Sequence, residues 1–282
     1  MKYVLITGTN SGIGEAISTA LIQKGYHVFG SVRDEKNAKI LSSKLGSNFT
    51  PLIFDITNEV AVEKSVSVVR EQIKTEGLTA LINNAGISVI GPLKDMSVAD
   101  FRKQIDVNLT GAFIVTKYFL PLLGGEKKSN IKPGRIINIS SLSGTRTVPF
   151  IAAYAISKHG IEALTDGLRR ELMLYGIDVI GILPGSVKTP MIDKIDSGIM
   201  DASKNSDYGP MLLKFKEVND KKVASGIPIQ KVVATVCKAL ESSNPKPRYY
   251  LRTSFITDYL MPTFLPTRIM DLVFAKVMGI KK

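Results

Sequence analysis

The sequence predicts a single α/β domain in which a doubly wound parallel sheet carries helices on both faces. Short runs rich in β-branched and aromatic residues alternate with segments of helical periodicity, and this alternation is typical of parallel sheets. A chain of 282 residues with 44% hydrophobic residues can bury one sizeable core. Glycines follow several of the helical segments at the positions where helices commonly end.

The first half of the chain contains four predicted strands, and a helical segment follows each of the first three. Gly25 and Gly46 end the first two helices. The strands are predicted at residues 2–7, 27–32, 50–55 and 80–86, and the helices at 11–24, 34–45 and 58–76.

The second half continues the pattern, with helices predicted at 97–123, 151–175 and 227–242 and strands at 136–140, 178–183 and 247–251. Residues 1–251 are therefore expected to form one domain. Within it, the segment of about 190–226 mixes methionines, leucines and isoleucines with charged residues, which favours a mobile amphipathic lid over an apolar ligand. Ordinary core packing by one or two helices is the alternative. Residues 252–282 form an extension expected to pack on the same domain.

Composition excludes several classes of protein. The formal net charge is +12, yet the basic residues are spread along the chain, so anionic small molecules explain the charge without nucleic acid. The single cysteine, Cys237, cannot build a disulfide framework within the chain and fits a cytoplasmic protein. Because no stretch of 18 apolar residues occurs and a strand-like run follows Met1, neither a spanning helix nor a signal peptide is expected.

The run TGTNSGIG, residues 7–14, follows a predicted strand and opens a helix, which is the context of a phosphate-binding loop. Gly8 permits a sharp turn, Gly12 lets the backbone approach a pyrophosphate, and Gly14 allows the helix to pack closely on the strand. The helix N-terminus favours negative charge. This loop is the predicted binding site for a dinucleotide phosphate.

A second candidate site lies between Gly134 and Gly160. Tyr154 and Lys158 are spaced i and i+4 on a predicted helix, and Ser141 follows a buried strand. We expect the lysine charge to lower the pKa of the tyrosine toward the range useful for acid-base catalysis. The alternative is a half-buried tyrosine, a solvated lysine and a serine that caps a loop.

Several motifs occur in a set order: TGTNSGIG, Asp55, NNAG at 83–86, VNLTG with Asn108, Ser141, the Y-x-x-x-K of Tyr154 and Lys158, and PG at 184–185 followed by Thr189. Over residues 2–190 the chain thereby resembles the short-chain dehydrogenase/reductase family. The resemblance implies a Rossmann-type fold and hydride transfer between a nicotinamide and a carbonyl carbon. It makes Tyr154 the proton donor or acceptor, Ser141 the holder of the substrate oxygen, Lys158 the partner of tyrosine and cofactor ribose, and Asn108 part of a proton relay.

The same resemblance implies the remaining cofactor contacts, and it gives no metal site. They are the loop residues Gly8, Thr9, Asn10, Ser11, Gly12, Ile13 and Gly14, then Asp55 and Ile56 at the adenine, Asn83, Ala85 and Gly86 at the adenosine ribose or main chain, and Pro184, Gly185, Val187 and Thr189 at the nicotinamide. As alternatives, Asp55 caps a helix, Asn83 forms a turn, and Pro184 with Gly185 breaks a loop.

Arg33 favours NADP(H) over NAD(H). The acidic residue that would bind a ribose 2′-hydroxyl and repel a 2′-phosphate is replaced by Val32 at the end of the second strand. The Arg33 guanidinium can pair with a phosphate, and Ser31 is a predicted auxiliary contact. The alternative is a solvated cluster in which Asp34 and Glu35 neutralise Arg33.

The C-terminal segment is rich in Phe, Leu and Met and suggests an amphipathic helix from about Thr267, flanked by Lys276, Lys281 and Lys282. Three roles are open: packing over the substrate pocket, an oligomer interface in a homodimer or homotetramer, or peripheral contact with a membrane. Together with HVFGSVRDEKN, the segment resembles the hydroxysteroid and retinol dehydrogenase branch, which implies a hydrophobic alcohol or ketone. A ketoacyl or small polar carbonyl reductase and a non-catalytic NADP-binding regulator are the alternative functions.

Overall fold

The computed structural model describes residues 1–204 and 206–280, apart from the side chains of residues 193 and 194. Lys281 and Lys282, which we expected to flank the last helix, lie outside the described residues. Seven strands form one parallel sheet in the order β3-β2-β1-β4-β5-β6-β7. They are β1 (Lys2–Ile6), β2 (Tyr26–Val32), β3 (Phe49–Ile53), β4 (Leu78–Asn83), β5 (Arg135–Ile139), β6 (Asp178–Pro184) and β7 (Arg248–Leu251).

Eleven α-helices are present in the described part of the chain. They are α1 (Gly12–Gln23), α2 (Glu35–Leu45), α3 (Glu59–Ile73), α4 (Val98–Ile105), α5 (Gly111–Phe119), α6 (Ala152–Glu171), α7 (Pro190–Lys204), α8 (Gly209–Ala224), α9 (Ile229–Glu241), α10 (Met261–Phe264) and α11 (Thr267–Met278). The predicted Rossmann-type doubly wound fold is therefore confirmed. The chain reverses direction across the sheet between β1 and β4, and such a switch point is where open α/β sheets bind ligands.

Two apolar clusters cover opposite faces of the sheet. One packs α1, α2 and α9 around Val4, Ile6 and Val28, and the other packs α3 and α5 around Leu5, Phe29 and Phe119. Alternate residues of β1 and β2 enter opposite clusters, because successive side chains of a strand point to opposite faces. Both faces are buried, which explains the nearly continuous apolar strands of the sequence.

The predicted helix at 97–123 is continuous but not regular. A π-helical turn, Asp106–Thr110, separates α4 from α5, and a 3₁₀ turn, Leu120–Leu123, ends the run. Asn108 lies within the π turn. Turns of this kind are frequent at functional sites because they re-aim side chains, and apolar periodicity does not reveal one inserted residue.

The segment of 190–226 forms the helices α7 and α8, which pack against each other and against α11. Ile199, Leu212, Phe215 and Met278 form a third apolar cluster with Phe150. Part of the predicted lid thus serves as ordinary core, while Met200 and Leu213 are exposed. Whether the two helices move as a lid stays a prediction.

Candidate functional site

One cavity of about 970 Å³ opens at the carboxyl ends of the strands. Its wall is built from the glycine-rich loop, from the segments that follow β2 to β6, and from residues of α7, α8, α10 and α11. The predicted catalytic residues Ser141, Tyr154 and Lys158 line this cavity together. Two sequence segments separated by more than 100 residues, the glycine loop and the Ser–Tyr–Lys segment, therefore share one site.

The glycine loop leaves free amides at the start of α1. Helices α2, α3 and α4 are each capped by a side chain, from Asp34, Asn58 and Ser97, whereas Ser11 forms no such hydrogen bond at the start of α1. The first amides of a helix have no partner within it, and they carry partial positive charge. Gly8 and Gly12 have φ of +70° and +61°, a conformation that glycine tolerates best. The start of α1 thus offers donors that suit an anion, and the phosphate site itself stays a prediction.

Gly14 and Thr9 act behind the loop and do not line the cavity. A Cβ on Gly14 would lie 2.2 Å from Gly8 O and 2.5 Å from Asn84 Nδ2. Thr9 is fully buried, and its N–H and hydroxyl both donate to Ser31 O. The Thr9 side chain is thus bound to β2 and the predicted cofactor contact of Thr9 stays a prediction, whereas the close packing expected at Gly14 is present.

Arg33 is exposed beside the cavity and forms no hydrogen bond or ion pair within the described parts of the chain. Both carboxylate oxygens of Asp34 accept from Asn37, and these bonds together with the charge of Arg33 lower the pKa of Asp34, so the alternative of a charge cluster stays open. Ser31 is 2% exposed, and its Oγ accepts from Gly8 N at 3.0 Å. Its hydroxyl thereby ties β2 to the glycine loop while still lining the cavity.

Asn83 is buried and its side chain is bound to α5 and β5, and its predicted contact with the cofactor stays a prediction. Its Nδ2 donates to Thr116 Oγ1 and to Asn138 Oδ1, both at 2.9 Å, and the residue does not line the cavity. The next residue, Asn84, lines the cavity instead, and its Nδ2 donates to Thr7 O and Gly8 O. Sequence reasoning missed Asn84, although strand alternation, which reverses the side-chain direction at each residue, was the signal that could have found it.

Most of the other predicted cofactor residues line the cavity, and their contacts with the cofactor stay predictions. Asp55 is not a helix cap: its Oδ1 accepts from Thr57 N and Thr57 Oγ1 in a local turn. A Cβ on Gly86 would meet Asn108 Oδ1 at 3.3 Å and Lys158 Nζ at 3.9 Å. The members of this set that line the cavity are Gly8, Asn10, Ser11, Gly12, Ile13, Ser31, Arg33, Asp55, Ile56, Ala85, Gly86, Pro184, Gly185, Val187 and Thr189.

Desolvation controls the protonation of the Ser–Tyr–Lys group. Burial raises the pKa of Tyr154, and a hydrogen bond with Ser141 offsets only part of that change. Lys158 Nζ donates to Ile139 O at 2.8 Å and lies 5.8 Å from the centre of the Tyr154 ring. Desolvation lowers the pKa of Lys158 to about 8, with the charge of Glu162 acting in the opposite direction. The prediction that Lys158 lowers the pKa of Tyr154 is wrong for this arrangement.

Asn108 is 2% exposed and does not line the cavity. Its Oδ1 accepts from Ile87 N, and its Nδ2 donates to Ile87 O and to Ser157 Oγ. Three of the four hydrogen bonds that an asparagine side chain can form are thus used. Asn108 thus holds the loop after β4 against α6, and its predicted part in a proton relay stays a prediction.

Sequence reasoning also missed other polar residues of the cavity wall, among them Arg146, Asn219 and Lys222. Arg146 follows Ser141 by five positions, and the other two lie on α8. Their neighbours gave no periodic or motif signal that distinguishes them from surface residues.

Comparisons with known proteins agree with this geometry. Residues 2–199 match the family described as short chain dehydrogenase. An NADPH-dependent 3-dehydrocapnine reductase of Ornithobacterium rhinotracheale is 36% identical over 98% of this chain and 97% of its own length. Retinol dehydrogenase 7 of Rattus norvegicus is 33% identical over 96% of this chain and 87% of its own. The crystal structure of an actinorhodin polyketide ketoreductase variant with NADPH is 28% identical, covers 89% of this chain and 94% of its own, and has a TM-score of 0.74.

Proposed function

The chain belongs to the short-chain dehydrogenase family, and from this membership we propose that it interconverts a ketone and a secondary alcohol of a hydrophobic substrate with NADP(H). The observation that carries the proposal is the convergence of Ser141, Tyr154 and Lys158 on one cavity with the glycine loop and apolar helices. NADP(H), when bound, supplies or accepts the hydride. The remaining chemistry belongs to residues of this chain.

The residues present fit that cofactor. The free amides of residues 10–13 suit a pyrophosphate, and the unpaired Arg33 guanidinium suits a 2′-phosphate. The NADPH named for the dehydrocapnine reductase and for the polyketide ketoreductase supports the same choice. Pro184, Gly185, Val187 and Thr189 are the proposed contacts of the nicotinamide.

Tyr154 is the proposed general acid for reduction. A phenol whose pKa is raised stays protonated at neutral pH, which is the form that can donate a proton to a carbonyl oxygen. The Ser141 hydroxyl, whose Oγ accepts from Ser143 N at 3.1 Å, is a second donor toward that oxygen. Both donors meet the negative charge that develops on that oxygen in the transition state, which is the same for reduction and for oxidation.

Lys158 and Asn108 support the proton path. The Lys158 ammonium is held on Ile139 O beside the tyrosine and, with a pKa of about 8, can exchange protons close to neutral pH. Asn108 keeps one Oδ1 lone pair, and its proposed relay role runs through that acceptor near Gly86.

The substrate class follows from the apolar wall. Ile195 of α7, Phe215 of α8, and Met270, Phe274 and Val277 of α11 line the cavity beyond the catalytic residues. The names of the dehydrocapnine reductase and the retinol dehydrogenase support a hydrophobic ketone or alcohol. A ketoacyl substrate is the second candidate, favoured by the likeness to the polyketide ketoreductase.

Replacing Tyr154 by Phe tests the mechanism. The variant keeps the ring and removes the proton donor, so kcat for ketone reduction with NADPH should fall about 10²–10⁴-fold. NADPH affinity, measured by cofactor fluorescence, should persist. Tyr175→Phe is the control, because that ring packs in the core away from the cavity. Full activity of Tyr154→Phe would refute the mechanism.

A separate screen of dehydrocapnine, retinoid, steroid and ketoacyl substrates would identify the substrate class.

Oligomer formation, membrane contact and a cytoplasmic location stay predictions. Phe113 of α5 and Ile156 of α6 expose apolar surface that supports a homodimer or homotetramer, which light scattering would detect. Phe264, Leu272 and Ile256 expose the apolar side of the C-terminal segment, which supports a peripheral contact that vesicle flotation would test. No helix within the described ranges is long and apolar enough to cross a bilayer.

A further inference from the structure

A group of nitrogen donors lies among the apolar residues of the cavity wall, which also holds the carboxylates of Asp258 and Asp271. Asn219 and Lys222 are spaced i and i+3 on α8 and so share a helix face, and both line the cavity with Arg146. We call these three residues the donor cluster. The proposed function uses none of them.

Asn219 Nδ2 is a donor without a partner. The nitrogen is fully shielded from solvent and forms no hydrogen bond. A buried donor left unsatisfied costs free energy comparable to a lost hydrogen bond. Because other atoms of Asn219 line the cavity, rotation of its amide toward the cavity would let this nitrogen donate to a ligand acceptor atom and remove the cost.

Lys222 keeps part of its side chain in solvent and forms no ion pair in the parts of the chain that the structure describes. Desolvation and the positive charge of Arg146 lower the pKa of Lys222, while Asp258 acts in the opposite direction. Asp258 does not form an ion pair with this lysine, because its oxygens accept from Arg146, Thr253 and Ser254. The ammonium of a cavity-lining lysine is therefore available to an anionic ligand.

Arg146 completes the cluster with unused donors. Its NH1 donates to Thr257 O at 2.5 Å and its NH2 to Asp258 Oδ1 at 2.7 Å. Since a guanidinium has five N–H groups, three remain. The formal charge of Arg146, Lys222 and Asp258 together is about +1 at neutral pH.

We propose that the donor cluster binds an anionic head group of the substrate, so that this enzyme acts on amphipathic ketones or alcohols with an apolar chain and a carboxylate, sulfonate or phosphate. The apolar residues of α11 bind the chain, and Ser141 with Tyr154 binds the oxygen that is reduced. That the bound anion is a substrate rests on the proposed function. That the cavity binds an anion rests only on the donor cluster.

Binding measured without catalysis tests the site. With NADPH present, isothermal titration should give decane-1-sulfonate at least about a 10-fold higher affinity than decan-1-ol, since a charge-assisted contact replaces a neutral one. Lys222→Met should abolish that ratio, and Asn219→Leu should reduce it. Lys221→Met is the matched control, because Lys221 is exposed on the same helix and pairs with Glu217. Thermal melting establishes that each variant is folded.

The outcomes separate the two proposals. The anion site is overturned if decane-1-sulfonate and decan-1-ol bind with equal affinity. It is also overturned if the ratio of their affinities is unchanged in Lys222→Met, whichever substrate the enzyme reduces. A loss in Lys221→Met equal to that in Lys222→Met also overturns it, since the effect would then be general charge. Turnover of long-chain ketones with NADPH tests the proposed function on its own. If the protein is inactive but still binds the sulfonate more tightly than the alcohol, the anion site is supported and the reductase assignment is overturned.

Discussion

At the residue scale, the state of Tyr154 is set by desolvation rather than by its lysine neighbour. The helical spacing brings Lys158 beside the ring, but the ammonium is committed to Ile139 O, and desolvation dominates both groups. A desolvated phenol that holds its proton at neutral pH is in the form that can donate a proton to a carbonyl oxygen. The same residues can therefore serve a reductase without the phenolate that their spacing suggested.

Arg33 carries a prediction about the cofactor. Arg33→Met removes a free cation next to the cavity, and hydrogen bonds to charged groups contribute about 1.5–3 kcal/mol, so KM for NADPH should rise roughly 10–100-fold. KM for NADH should change little, because NADH lacks the 2′-phosphate. Steady-state kinetics with both cofactors measures the effect.

Lys36→Met is the control for Arg33. This lysine is exposed three residues later and does not line the cavity. A wild-type preference for NADH, or an unchanged NADPH KM in Arg33→Met, would contradict the assignment of the 2′-phosphate to Arg33.

At the element scale, the glycine loop and β4 form one packed unit. Asn84 donates to two carbonyls of the loop, and Thr7 Oγ1 accepts from the amides of Asn84 and Ala85. The start of α1 lies so close to this unit that only glycine fits at position 14. The backbone that would receive a phosphate is thus positioned by β4, not by the loop alone.

Gly14→Ala should disturb this unit. The new Cβ would fall 2.2 Å from Gly8 O, so the helix start must shift, with a stability loss of about 1–3 kcal/mol. NADPH affinity should fall more than tenfold, because the amides would be displaced. Urea unfolding and cofactor titration give the two values.

Gly167→Ala is the matched control within helix α6, where the nearest atom to the new Cβ is 4.0 Å away. Such a replacement in an open helical position is expected to stabilise by about 0.4–1 kcal/mol. If Gly14→Ala behaved like this control, the close packing of α1 on the loop would not matter for binding.

At the scale of the whole molecule, one buried ion pair connects the C-terminal segment to the active-site loop. Asp258 accepts from Arg146 and from the backbone of Thr253 and Ser254. Burial alone would raise the pKa of Asp258, but these donors lower it to about 2. With α11 packed on α8, this connection makes the segment part of the cavity wall.

Asp258→Asn should loosen that segment without unfolding the sheet. Losing the charge-assisted bonds leaves Arg146 unpaired, so amide hydrogen exchange over residues 253–280 should become on the order of 10–100-fold faster. Exchange in β1, β4 and β5 should stay unchanged. Asp271→Asn on α11 is the control, because that carboxylate forms no ion pair with any described residue. Equal amide exchange rates over residues 253–280 in the two variants would contradict the role given to Asp258.

The sequence predicted the strands and helices more closely than it predicted the side-chain positions at the site. The elements were predicted closely because apolar runs and glycine stops are local signals, and Ser141, Tyr154 and Lys158 were predicted because a motif places them. The sequence did not show that Asn84 rather than Asn83 lines the cavity, or that the Asn108 side chain is bound by Ile87 and Ser157. Both features depend on the direction of a side chain, which follows strand register and one π turn rather than residue type.

The sequence by itself determined the doubly wound sheet, the glycine loop and the residue types that a reductase needs, because periodicity, helix ends and motif spacing are properties of neighbouring residues. Only the tertiary structure decided which side chains meet. It brought Arg146, Asn219 and Lys222 to one wall, placed Asn83 beneath the site, and desolvated Tyr154. Contacts between distant segments and the desolvation of polar groups arise only when the chain is packed, so no local pattern could encode them.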